Sequence, residues 1–423
     1  MPEPTTALTQ KQTLWAGVAL LLNSGSTSIL GFAYWIVAAR TSSPEEVGVG
    51  STLVSTLMVV SGFAQLNYGR TLPHLIPRAA PHGTRVLTEA YGRVLVMSAV
   101  LSAAFWALVA VIRPSNFPEA TLVGAVLFAL GTALWSVFTL QDSALNAFRL
   151  TNVIPVENTV YGIAKIVALV AIPVSVLSGS SVIIFSWLLP LVAVVPVINY
   201  LIYRRHGPEA EDPPYERRPR GAVGVLDAVG SYAWLLTPLL LQYVVLTQLG
   251  PAAAAVLFIP LTLVTSADGL SGNIGNTVTA ETTRNGGQVP PQVRRLVLYL
   301  VGAACAGAVL MLVLGRPLLA LFGDRYGTSS LPLLISFGFS AAARAVAISS
   351  AAVQRARGRG LRTMLLQLVI ALGPLSAAVL IFLGLAGLDG VAIAWLATSL
   401  AAAALAVVYL RMDRAAAPHP ADE

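Results

Sequence analysis

The sequence predicts an all-α integral membrane protein with twelve transmembrane helices in two parallel six-helix lobes. Three observations lead there. First, twelve continuous runs rich in Leu, Ala and Val fill the chain. Each is near the roughly 20 residues needed to cross about 30 Å of hydrocarbon, and none has the ten-residue alternation of an outer-membrane barrel. Second, Lys and Arg gather on every second connection, the pattern that sets membrane orientation. Third, the two halves align on each other. Of 423 residues, 56% are hydrophobic and 11% charged, against about 25% charged in an average soluble domain, so a soluble fold is excluded.

Span one covers 14–38, with a polar band at its middle (Asn23, Ser24, Ser26, Thr27, Ser28). It is too long for a signal-peptide core and ends without a convincing cleavage site, so it reads as a retained helix. Span two, 47–68, follows Pro44 and closes on Gln65 and Asn67. Spans three, four, five and six cover 91–112, 120–140, 153–177 and 181–203. Residues 204–222 are a polar linker, proline-rich and of mixed charge, as a flexible or extended connector should be. Span seven, 225–248, carries Gln242 and Gln248. Span eight, 251–275, carries Asp268 and glycines at 269, 272 and 275, which suit close helix approach. Span nine, 294–314, holds the lone cysteine, Cys305, so an intramolecular disulfide is excluded. Spans ten, eleven and twelve are 331–353, 362–384 and 388–410, followed by a disordered tail from 415 to 423. The domains are thus 1–203, the linker 204–222, and 223–414.

Outside the spans, only Arg40, Arg113, Arg316 and Arg325 fall on one set of connections; the other set holds both termini and the remaining Lys and Arg. Both termini are therefore cytoplasmic, in the cell membrane. The net charge of +7 reflects that orientation and not nucleic-acid binding. Outer connections are too short to hold an enzyme domain.

Pro44 matches Pro251, 207 residues on, and Ala144–Arg149 matches Ala352–Arg357, 208 residues on. Six is an even number of spans, so both halves enter the same way up, as in a parallel repeat enclosing a transport cavity.

Charges at bilayer depth are costly and normally face a protein or water interior. Arg344 lies about 15 Å from the cytoplasmic end of its span, a cationic contact for an anionic substrate or half of a buried pair with Asp268. Glu157, Tyr161 and Lys165 at i, i+4 and i+8 share one face of span five. Lys165 is a second substrate contact or a side chain snorkelling to the interface. Asp268 and Glu157 are ion-coupling candidates, with a salt bridge or wet vestibule as the alternative for Asp268. Asn23 and Gln242, on repeat-equivalent spans one and seven, suit walls of one cavity or plain interhelical hydrogen bonds.

No P-loop exists, because Gln10 precedes Lys11 and Ala164 precedes Lys165. The four histidines fall in connections without HExxH spacing, and no Asp-x-Asp pair is present. No catalytic site, cofactor or metal is expected.

Gly31-Phe-Ala-Tyr-Trp-Ile-Val-Ala-Ala-Arg40-Thr-Ser-Ser-Pro44-Glu45-Glu46-Val47-Gly48 resembles the first helix and outer turn of Wzx-like polysaccharide flippases. These belong to the multidrug/oligosaccharidyl-lipid/polysaccharide (MOP) exporter superfamily; Val47 replaces an aromatic usual there. Asn146–Arg149 and Gln354–Gly358 resemble its fourth and tenth helix ends. The resemblance implies a MATE-like V shape around a central cavity. The implied cargo is a polyprenyl-pyrophosphate-linked oligosaccharide, moved by alternating access for cell-surface polysaccharide assembly. Its anionic pyrophosphate would give Arg344 and Lys165 a purpose. Membrane lipids and glycan-assembly proteins are the implied partners. The competing reading is an ion-coupled small-molecule (multidrug) exporter. A major-facilitator protein fits less well, because Asn67–His74 lacks the acidic residue usual in that loop.

Overall fold

The computed structural model describes residues 10–79, 82–112, 114, 116–118, 121–172, 179–205, 222–323, 326 and 329–415. Of these, 10–25, 70, 74, 78, 222–225 and 414–415 are described by their backbone alone. Most of the expected linker and the expected tail from 416 lie outside the described residues. Among the described residues the chain is all helical. The helices are α1 (Gln10–Thr41), α2 (Pro44–Ala64), α3 (Tyr68–Arg78), α4 (Gly83–Ile112), α5 (Leu122–Ala147), α6 (Val153–Ala171) and α7 (Ser180–Arg205). They continue with α8 (Ala222–Leu249), α9 (Pro251–Arg284), α10 (Pro291–Ala320), α11 (Leu331–Ala356), α12 (Gly360–Phe382) and α13 (Leu388–Ala415). By length and composition, 11 are able to cross a membrane. The 32-residue α1 falls outside that count, because its side chains are described only from Ser26 on.

The chain divides into two compact units. One holds residues up to 42, 53–114 and 118–216; the other holds 43–52, 115–117 and 217 onward. In the first, α5 packs against α3, α4, α6 and α7, and α1 against α6. In the second, α11 packs against α9, α10, α12 and α13, and α8 against α12. Each unit is thus built around a 26-residue helix, α5 or α11.

The repeat is visible in backbone detail. Helices α2 and α9 start 207 residues apart, α7 and α13 start 208 apart, and α5 and α11 start and end 209 apart. The ends of α5 and α11 correct the sequence alignment by one residue. Arg149 (φ 61°) pairs with Gly358 (φ 70°), both left-handed. The Leu150 N–H donates to the Leu145 carbonyl as the Arg359 N–H does to Gln354, the six-to-one bond of a Schellman turn. The alignment that set Arg149 beside Arg357 matched charge; the backbone matches the residue that must sit at positive φ.

Local chemistry explains several boundaries. Ser43 and Glu46 form a capping box: the Ser43 N–H donates to Glu46 Oε2 (2.8 Å) and the Glu46 N–H to Ser43 Oγ (3.2 Å). Pro44 sits at the helix start, where its missing N–H costs nothing. Helix α3 forms where the sequence predicts a connection between spans two and three. Tyr68, Leu72 and Ile76, one turn apart, are buried against the unit, and this face stabilises a helix that Pro73 and Pro77 would otherwise disfavour. Helices α4 and α9 run past their apolar spans. The α4 extension carries Glu89, paired with Arg85 and with Arg93 just inside the span, and the α9 extension pairs Arg284 with Glu281.

Candidate functional site

In the first unit, Glu157, Tyr161 and Lys165 all lie on the buried face of α6. Their i, i+4, i+8 spacing puts them in one column, and that column faces protein, not lipid. Lys165 is 6% exposed. Its Nζ lies 4.3 Å from the ring centre of Trp187 and 5.2 Å from those of Tyr34 and Tyr161. Each desolvated cation–π contact of this kind is worth about 2 kcal/mol. The rings are held in place. Tyr34 Oη donates to the Ile183 carbonyl (3.0 Å) and shares a hydrogen bond with Ser186 Oγ (2.8 Å). Tyr161 Oη donates to the Trp187 carbonyl (3.2 Å). Trp135 of α5 closes the cage, 5.1 Å from Trp187 and 5.9 Å from Tyr161.

Among the described residues, no carboxylate pairs with the Lys165 ammonium and no group hydrogen-bonds it. Glu157 is two helical turns away, about 12 Å along the axis. Both its carboxyl oxygens are buried without a hydrogen-bond partner among the described residues. Asn158 Nδ2, beside it, donates to Asp142 Oδ1 of α5 (3.3 Å). Trp187 also lines an apolar cavity of about 410 Å³, together with Leu57, Trp106, Phe128, Gly131 and Leu188, among others.

The second unit treats its buried cation differently. Arg344 of α11 is 1% exposed and grips Asp268 of α9 with two bonds, Nε to Oδ1 (2.9 Å) and Nη2 to Oδ2 (2.5 Å). The planar guanidinium matches a carboxylate in this bidentate form. Its carbon also lies 5.2 Å from the Trp395 ring and 5.9 Å from Trp234. The buried pair weighed in the sequence is therefore formed, and Asp268 is committed to it.

Gln242 is buried, and its Nε2 donates to Ser51 Oγ (3.2 Å), an ordinary interhelical bond. Asn23 lies on α1 where the backbone alone is described.

Sequence reasoning missed the aromatic cage. A signal for it exists: Trp187 and Trp395 are 208 residues apart, the offset of α7 and α13. Each repeat thus places a tryptophan at the same helical position, and each puts a buried cation against it.

The chain matches no protein-family model and no curated protein. Solved structures of similar fold do exist. An inward-facing multidrug resistance MATE family transporter of the MOP superfamily aligns with a TM-score of 0.65 at 14% identity, over 95% of this chain and 98% of that one. A MOP superfamily transporter from Pyrococcus furiosus Vc1 (DSM3638), described for the reverse polarity of its binding pocket, aligns with 0.60 at 14% identity, over 94% of each chain. An outward-facing MATE transporter aligns with 0.56 at 14% identity, over 94% of each. The fold is that of MATE transporters of the MOP superfamily.

Proposed function

We propose that this chain is a membrane transporter that moves a polyprenyl-pyrophosphate-linked oligosaccharide across the cytoplasmic membrane by alternating access, with both termini on the cytoplasmic side. The observation that carries the reading is Lys165, a deeply buried ammonium held by three rings and, among the described residues, by no anion. A buried cation normally has a paired carboxylate, since an unpaired charge in a low-dielectric interior is costly. An anionic cargo supplies the missing charge. The pyrophosphate of a lipid carrier does so, and the apolar cavity that Trp187 lines suits the hydrocarbon that accompanies it. Arg344, paired with Asp268, contributes less free charge. Glu157, without a hydrogen bond among the described residues, is the ion-coupling candidate.

A second reading is an ion-coupled small-molecule exporter. It is favoured by the structural neighbours, which include a multidrug resistance MATE transporter.

Reconstitution of the full chain in vesicles separates the two. The flippase reading expects transfer of a fluorescent polyprenyl-pyrophosphate sugar between leaflets, reduced at least tenfold by Lys165→Met. Transfer unaffected by Lys165→Met, or absent while a small-molecule dye is exported against an ion gradient, would reject it.

A further inference from the structure

Four arginines crowd the turn between α11 and α12: Arg355, Arg357, Arg359 and Arg362. Arg355 is matched by Asp227, with Nε and Nη2 both donating to Oδ1 at 3.0 and 2.7 Å. The other three converge on one carboxylate, Asp413 of α13. Arg357 Nη1 donates to its Oδ2, Arg359 Nη1 to its Oδ1, and Arg362 Nη1 to Oδ1 at 2.9 Å. Gln354 Nε2 adds a bond to Oδ2 at 2.8 Å. The Asp413 side chain is 7% exposed, whereas the three arginine side chains are 24–38% exposed. Three positive charges thus meet one negative charge. Among the described residues, no acceptor takes a bond from Nη2 of any of the three.

The turn does not require these arginines. The first repeat makes the same left-handed turn at Arg149, with the same bonding pattern. There, the positions 209 residues before Arg357, Arg359 and Arg362 are Phe148, Leu150 and Val153, and the position 208 before Asp413 is Arg205. The cluster is therefore an addition to the turn, not part of what folds it.

Its surroundings identify the anion. Asp413 lies in the last turn of α13 (Leu388–Ala415), a helix long and apolar enough to cross a membrane. Within a turn of the cluster, Leu361 and Leu365 on α12 and Val408 and Met412 on α13 are exposed. In a chain that crosses a membrane, such faces meet lipid. Arg362 also lies over the Tyr409 ring, 5.0 Å from its centre, on the same border. Guanidinium groups at this height bind phosphate oxygens through paired N–H donors, and basic groups beside spans draw anionic headgroups.

We propose that Arg357, Arg359 and Arg362, fixed by Asp413, form a binding site for the phosphate of an anionic phospholipid headgroup. The site is independent of what the chain transports.

The test titrates the purified full chain in detergent with fluorescent phosphatidylglycerol and, separately, phosphatidylcholine. Phosphatidylglycerol should bind at least tenfold more tightly. Arg357→Gln/Arg359→Gln/Arg362→Gln should weaken it at least tenfold. Arg359→Gln alone, at the most exposed of the three, should weaken it about fivefold while leaving the unfolding temperature unchanged. Arg204→Gln/Arg205→Gln, at the matching end of the first repeat, should bind as the unaltered chain does. Equal binding of the two lipids, or a folded Arg359→Gln that keeps full affinity, overturns the proposal. So does displacement of the lipid by inorganic phosphate at matched concentration, which would make this a soluble-anion site.

Discussion

The two repeats share a tryptophan and differ in how they place a charge beside it. In the second, Arg344 comes from the central helix α11, and Asp268 of α9 neutralises it. In the first, the residue 209 positions before Arg344 is Trp135, which packs on Trp187 as a ring. The position 207 before Asp268 is Ser61, and it accepts a hydrogen bond from Ser136 Oγ (2.9 Å). The ion pair of one repeat is thus an aromatic contact and a hydroxyl pair in the other. The first repeat's cation enters from a different helix, α6, as Lys165. One backbone plan therefore supports a buried ion pair in one place and, in the other, a buried cation that among the described residues has no carboxylate partner. The pair is neutralised within the protein; the cation, among the described residues, has rings around it and no carboxylate.

The sharpest way to break this contrast is Arg344→Met. It leaves Asp268 buried alone and should cost about 3–5 kcal/mol of unfolding free energy. Asp268→Leu/Arg344→Met removes both charges and should recover most of that loss, measured by thermal or denaturant unfolding in detergent. Failure of the double variant to recover would mean that the pair is not a self-contained unit.

Lys165→Met should behave in the opposite way. Its cation–π contacts are lost, but so is the cost of holding an unpaired ammonium away from water. Unfolding should move by less than about 2 kcal/mol while transfer of a pyrophosphate-linked cargo falls at least tenfold. A Lys165→Met protein as destabilised as Arg344→Met would erase the distinction between the repeats.

Gly48 and Ala255 occupy matching positions, 207 residues apart. A Cβ built on Gly48 would lie 1.9 Å from the Pro251 carbonyl oxygen, so Gly48→Ala should cost about 1–3 kcal/mol through overpacking. Ala255→Gly should cost about 1–2 kcal/mol, from helix propensity and the loss of one buried methyl. Equal losses would show that backbone approach is not what fixes glycine at the first position.

The smallest effect concerns helix starts. Thr121 Oγ1 accepts from the Gly124 N–H (3.0 Å) at the head of α5. Its counterpart Ser330 makes no cap and donates to the Val256 carbonyl instead (3.0 Å). Thr121→Ala should lower stability by about 1 kcal/mol and speed amide exchange in the first turn of α5. Ser330→Ala should leave the first turn of α11 unchanged in exchange.

Much of the fold was legible because lipid imposes one rule: an apolar run of sufficient length is a helix. Where hydropathy stops but helix does not, the reading fell short. Helix α4 begins at Gly83 and not near 91, since Arg85, Glu89 and Arg93 interrupt the apolar run without interrupting backbone hydrogen bonds. Helix α3 was missed because its signal is three apolar residues among prolines. At the site, the α6 column was legible from spacing, and the Arg344–Asp268 pair from two charges in apolar spans. The cage around Lys165 was not. Tyr34, Trp135 and Trp187 lie on three different helices, and only packing brings them to one point.

The Schellman turn closing α5 and α11 has one further consequence. Because the same backbone carries Phe148, Leu150 and Val153 in one copy and three arginines in the other, the segment behaves as an interchangeable cassette. Transplanting the arginines with an aspartate at Arg205 would move a charged docking point into the first repeat while leaving the main-chain scaffold as it stands. The duplicated architecture offers the protein engineer two ports of the same shape, wired independently.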